Sequence, residues 1–176
     1  MIERLCLGMT LPLMLGAVQD DLPTGWKVHE SKEGRFKVAL PGTPMQKKQQ
    51  VKTATGSLDV MMLIGQGRGD TAFVVSYCDY PEADLKKGTV EKRLDHARDG
   101  AVSSARGKLR SGSEKSIDID GHPGRDFVIE KDGEIVARMQ VFLVQTRLYQ
   151  VMILGGSTVS ASKEGTQFLE SFRLIP

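Results

Sequence analysis

Residues 125–154 read RDFVIEKDGEIVARMQVFLVQTRLYQVMIL, and this stretch decides the fold. Its strand-like runs fall at 125–131, 134–144 and 147–154, rich in the β-branched and aromatic residues that suit a pleated surface. Asp132-Gly133, between the first two runs, is a dipeptide favoured in type I′ hairpins, whose central residues both take positive φ. The three runs therefore predict an antiparallel meander.

Working outward, residues 116–119 form a further short strand candidate. Nearer the N-terminus, runs at 26–31 and 35–40 are joined by a Lys32-Glu33-Gly34 turn and ended by Pro41-Gly42-Thr43-Pro44. Gly56 separates a polar strand at 47–53 from an apolar one at 58–65; after a Gly-rich turn, 71–80 closes at Pro81. Between Pro81 and Gly107 the period changes. Val90, Leu94, Ala97, Ala101 and Val102 recur at three- and four-residue steps, which predicts one amphipathic helix with a small-residue face. After Gly155-Gly156-Ser157, a second helix is marked by Ala161, Gly165, Phe168, Leu169 and Phe172, with Ser157 or Thr158 as its cap. Hairpin-joined strands interrupted by helices predict an α+β fold, an antiparallel β-sheet with helices packed on it, rather than parallel βαβ units.

The chain has 176 residues, 40% of them apolar and 26% charged, ordinary values for a soluble globular domain. A chain of this size buries a real core without disulfides or metals. A net charge of +2 does not point to a nucleic-acid partner. Residues 5–18, LCLGMTLPLMLGAV, follow Arg4 and precede Gln19, Asp20 and Asp21, the layout of a secretory signal peptide. The run is too short for a membrane span, which needs roughly 20 residues. Pro12 argues against the alternative of a buried N-terminal helix. The expected organisation is a signal peptide at 1–19, cleaved near Ala17 to Gln19, and a single exported domain at 20–176, periplasmic or secreted, with no transmembrane span once mature. Cys6 leaves with the leader, so Cys78 is the one thiol of the mature chain and no intramolecular disulfide forms. Alternation sets Cys78 on one face with Val74 and Ser76 as a buried, inert thiol.

A strand reading GRFKVALPGTP at 34–44, a middle helix, a late meander and a closing FLESFRL helix at 168–174 come in an order that resembles the PsbP/Mog1 superfamily. The resemblance covers roughly residues 26–174. It implies an antiparallel sheet sandwiched by helices, an α/β/α sandwich. Members include the extrinsic photosystem II protein, a Ran-binding protein and many exported bacterial proteins of unclear role. The resemblance implies a docking scaffold, not a reaction, and carries over no functional residue.

No candidate chemistry outweighs its structural alternative. Gly65-Gln66-Gly67-Arg68-Gly69-Asp70 lacks the Gly-Lys-Ser/Thr ending of a phosphate loop and precedes a strand, so it reads as a hairpin turn. Asp118, Asp120 and Gly121 open like a calcium loop, but His122 and Pro123 follow, and the segment 120–125 reads as a turn between strands. His29, His96 and His122 show no metal-ligand spacing, and there is no Gly-x-Ser-x-Gly elbow. Catalytic residues, cofactors and metals are therefore assigned to none. Two basic groups, Lys47, Lys48 and Lys52, and Arg106, Lys108 and Arg110, could meet an anionic surface, although solvated strand edges use Lys and Arg more commonly. The first expectation is a non-enzymatic binding or accessory module docked on a protein partner in a larger envelope assembly. The second is a small-ligand carrier with an apolar pocket between sheet and helix beside Ala97 and Ala101. The third is a hydrolase using His96 or His122 with a serine and an acid.

Expression of the full chain with its leader in a bacterial host should yield an exported product whose intact mass places the N-terminus between Ala17 and Asp20. Retention of residues 1–19 would remove the export reading.

Overall fold

The structure is a computed structural model, and it describes residues 22–53, 56–86, 88–155, 158 and 161–176; the expected leader at 1–19 lies outside them. In chain order the elements are β1 Trp26–Ser31, β2 Phe36–Pro41, β3 Met45–Thr53, β4 Gly56–Gln66, β5 Ala72–Asp79, α1 Glu82–Leu85 and α2 Val90–Ser104. Then follow β6 Lys108–Leu109, β7 Lys115–Ile119, β8 His122–Lys131, β9 Glu134–Val144, β10 Arg147–Leu154, α3 Lys163–Ser171 and β11 Arg173–Leu174.

The meander forms as the sequence predicts. Asp132 and Gly133 take φ of 53° and 86°, which turns β8 into β9. A second turn of the same kind stands at Asp120 and Gly121, with φ of 50° and 80°, and Asp118 Oδ1 accepts from the Gly121 N–H at 3.0 Å. The turn expected over 120–125 is thus two residues long, and His122 to Arg125 already belong to β8. Pro123 is tolerated there because pairing with β9 begins only at Gly124, so its missing N–H leaves no ladder bond unmade.

The main sheet is eight-stranded and antiparallel, in the order β3-β4-β5-β10-β9-β8-β6, with β7 also paired to β8. Two meanders, β3-β4-β5 and β8-β9-β10, meet where β5 pairs β10, and α1 and α2 carry the chain from one meander to the far edge. Successive side chains point to opposite faces, so each face gathers its own core. One holds Phe73, Val75, Tyr149, Val151 and Ile153; the other holds Cys78, Phe127, Ile129, Met139, Val141 and Leu148.

The two sequence segments that carry the family resemblance pack together over the first face. Phe36, Val38 and Leu40 of β2 and Phe168, Leu169 and Phe172 at the C-terminal end are all buried in that core. Leu174 pairs with Phe36 in register, and the Ala39 N–H donates to Ser171 Oγ at 2.9 Å. This cover is a three-stranded sheet, β1-β2-β11, with α3 beside it. The outer layer on this side is therefore mostly strand, where an α/β/α sandwich has helix. The α3 cap also differs from expectation: Ser162 accepts from the Gly165 N–H at 3.1 Å, whereas Ser157 lies outside the described residues. The later cap starts α3 where Phe168 and Leu169 come onto its buried side.

On the second face α2 packs over β8, β9 and β6. Thr89 caps it by accepting from the Lys92 N–H, and Leu94 and Ala97 are buried. A charged network holds it there. Arg98 donates to both oxygens of Glu114 at 2.8 and 3.0 Å and to Asp95 and Asp99 on its own helix, while Arg125 of β8 stands 3.5 Å from Glu114.

Two glycines give opposite expectations. A Cβ on Gly124 would lie 2.5 Å from both the Phe142 ring and the Val141 carbonyl oxygen, so Gly124→Ala should lower unfolding stability by about 2–3 kcal/mol. Gly100, in mid-α2, has open space, and Gly100→Ala should raise it by about 0.5–1 kcal/mol. Urea unfolding measures both.

Candidate functional site

Among the described residues α2 packs mainly on β8, β9 and β6, and it leaves the second face over β10, β5, β4 and β3 only partly covered. A groove of about 630 Å³ runs there between α2 and the sheet. Its helical wall is Ala97, Gly100, Ala101, Ser104 and Ala105, small residues at helical spacing. Its floor comes from strand positions of one parity, including Leu58 and Val60 of β4, Ser76 and Cys78 of β5, and Leu148, Gln150 and Met152 of β10. Val51 of β3, 41% exposed, lines the far side.

The polar groups are few. Ser76 is 2% exposed and its hydroxyl donates to Gln150 Oε1 at 3.2 Å. Tyr80, His96 and Ser104 complete the lining. Burial, and then the charge of Asp79, push the Cys78 thiol up to about 11. Burial likewise raises the Tyr80 phenol.

A second cleft, of about 530 Å³, opens on the opposite face beside the C-terminal strand and is lined by Arg35, Asp79, Asp120, His122, Arg147 and Tyr149 among others. Its most enclosed cation is already engaged. Arg147 makes two 2.7 Å bonds to the Asp79 carboxylate, donates to the Glu33 carbonyl at 2.8 Å and lies 4.7 Å from the centre of the Tyr77 ring. The Arg147 guanidinium holds the Asp79 carboxyl below the usual carboxylate range. The Tyr149 hydroxyl donates to the Gly34 carbonyl at 2.7 Å. These contacts tie the β1–β2 turn to the main sheet and use the polar groups structurally.

The basic residues singled out in the sequence divide into two groups. Lys47, Lys48 and Lys52 stand on β3 and Lys108 on β6, at opposite edges of the main sheet, with Arg106 and Arg110 flanking β6. All six are exposed. Lys48 pairs with Asp59 at 2.9 Å and Lys108 with Glu130 at 3.4 Å. Within β3, Lys47 shares the parity of Val51 and the groove, whereas Lys48 and Lys52 point to the other face.

His96 and His122 are also separated, one lining the groove and the other the polar cleft. Asp95, the acid beside His96, is bonded to Arg98. The described residues include no group of three or more His, Cys, Asp or Glu placed to hold a metal ion, and none of their helices is long and apolar enough to cross a membrane.

Sequence reasoning located the small face of Ala97 and Ala101 and the shared face of Cys78, Val74 and Ser76. It passed over Gln150 and the uncovered floor. The available signal was Gln150 itself, a polar residue between Leu148 and Met152 on one face of an otherwise apolar strand.

With fold and groove described, the class is clear: this is an α+β protein of the PsbP fold. It is similar to the solution structure of cyanobacterial PsbP (CyanoP) from Synechocystis sp. PCC 6803, with a TM-score of 0.56 and 12% identity over 91% of this chain and 98% of that chain. No family model and no curated protein matches the sequence.

Alkylation of Cys78 by iodoacetamide, followed by mass spectrometry, should be slow at pH 7.5, because a thiol with its pKa near 11 is almost wholly protonated there. The rate should climb with pH without levelling below about 10. A plateau by pH 9 would mean a water-exposed thiol.

Proposed function

We propose that this protein is a non-catalytic binding module, exported to the cell envelope, and that it carries a small apolar ligand in the groove between α2 and the sheet. The observation that carries the reading is the groove itself. It is concave, largely apolar and about 630 Å³, within the range of small-molecule sites, and its floor holds a part-buried Ser76–Gln150 pair. The small residues of α2 create the space, since larger side chains at 97 and 101 would fill it.

Docking on a protein partner in a larger envelope assembly is the second reading. It rests on the exposed basic residues at the two sheet edges, Lys47, Lys48 and Lys52 on one side and Arg106, Lys108 and Arg110 on the other. Lys and Arg also serve there to discourage edge-to-edge pairing, so these residues support docking less strongly than the groove supports carriage.

Nile red, a neutral dye that brightens in apolar surroundings, tests the first reading. The purified mature protein should bind it with a micromolar Kd. Ala101→Trp should weaken binding at least tenfold while leaving the melting temperature within a few degrees. Absence of dye binding by the unsubstituted protein, together with salt-sensitive capture of one defined envelope protein, would move the function to the basic edges.

A further inference from the structure

The groove's lining restricts the charge and the polar chemistry of what it holds. Among the described residues that line it there is no Lys, Arg, Asp or Glu. The Cys78 thiol and Tyr80 phenol stay neutral through the physiological range, both raised by burial. An ionised group seated on this floor would lose its hydration with no opposite charge beside it, at a cost of several kcal/mol. The floor is not wholly apolar, however. Gln150, half-buried, uses its carbonyl oxygen to accept from Ser76, and its amide NH₂, open to the groove, makes no hydrogen bond to the described residues. An amide NH₂ supplies two donors and no acceptor. A hydrocarbon pressed against it would leave those donors dry, whereas a ligand oxygen would satisfy them.

We infer that the ligand is an uncharged, largely hydrocarbon molecule carrying one hydrogen-bond acceptor, such as a ketone or ester oxygen, that meets the Gln150 amide at the groove floor. This rests on the carrier reading above and adds the ligand's chemical class to it. The acceptor sets the ligand's orientation, and its hydrocarbon part lies along Leu58, Val60 and Met152 toward the small wall of α2. Free fatty-acid anions are selected against, because the lining offers a carboxylate neither Lys nor Arg.

Displacement of Nile red at pH 8 by three probes of equal chain length tests this. Undecane has no acceptor, 2-undecanone has a neutral one and undecanoate carries a charge. The ketone should displace dye at about one fifth of the concentration that undecane needs, the effect of one added hydrogen bond. Undecanoate should need at least tenfold more than the ketone. Gln150→Leu should retain dye binding and bring ketone and alkane within twofold. Should that variant misfold, the order of the three probes on the unsubstituted protein still decides the matter. Equal displacement by ketone and alkane, or tighter binding of undecanoate, would overturn the inference while leaving the carrier reading intact. Failure of Nile red itself to bind would remove the carrier reading, and this inference with it.

Discussion

The architecture follows from a mismatch of widths. Six strands from β3 to β8 lie abreast in the main sheet, at roughly 4.8 Å per strand, and each face needs cover. A helix is about 10 Å across and spans about two strands. On one face a three-stranded sheet and a helix together bury an aromatic core around Phe36, Phe73, Tyr149 and Phe172. On the other face α2 is the main cover, and it packs over β8, β9 and β6 at one end. The groove over β10, β5 and β4 is what remains when one helix meets a sheet this wide.

The position of α2 decides where that space lies. Arg98, Glu114 and Arg125 tie the helix to β8 and to the β6–β7 connection, and Leu94 anchors it in the core. Solvated ion pairs contribute modestly to stability. A network whose members fix one another's geometry is better suited to setting position than to adding stability. A helix free to slide toward β10 could close the gap by bringing its small face down on Leu148 and Met152. Charge thus locates the helix, and the alanines and glycine on its inner side keep the gap open.

The two faces use polar residues in different ways. Beside the C-terminal strand, Arg147, Asp79 and Tyr149 satisfy one another or the backbone of the β1–β2 turn, and little remains to recognise a ligand. On the groove floor the Ser76–Gln150 pair sits among apolar side chains, and the Gln150 amide NH₂ bonds to none of the described residues. A ligand that takes the place of water against that amide would have to supply an acceptor in its stead.

The strands, both principal helices and the antiparallel arrangement were legible in the sequence, because side-chain period and turn chemistry are local. Asp132-Gly133 specifies its hairpin whatever surrounds it, and the helical spacing of Val90, Leu94, Ala97 and Ala101 persists in any fold. Tertiary structure alone decided three things. It placed Lys47 and Lys108 at opposite edges, since strand order depends on which meander docks on which. It extended the chain past Phe172 as β11, because two residues, Arg173 and Leu174, become a strand only when β2 is there to pair with. And it made Gln150 a floor residue: the alternation Leu148, Gln150, Met152 is visible in the sequence, but whether a helix covers that face depends on contacts between segments far apart in the chain.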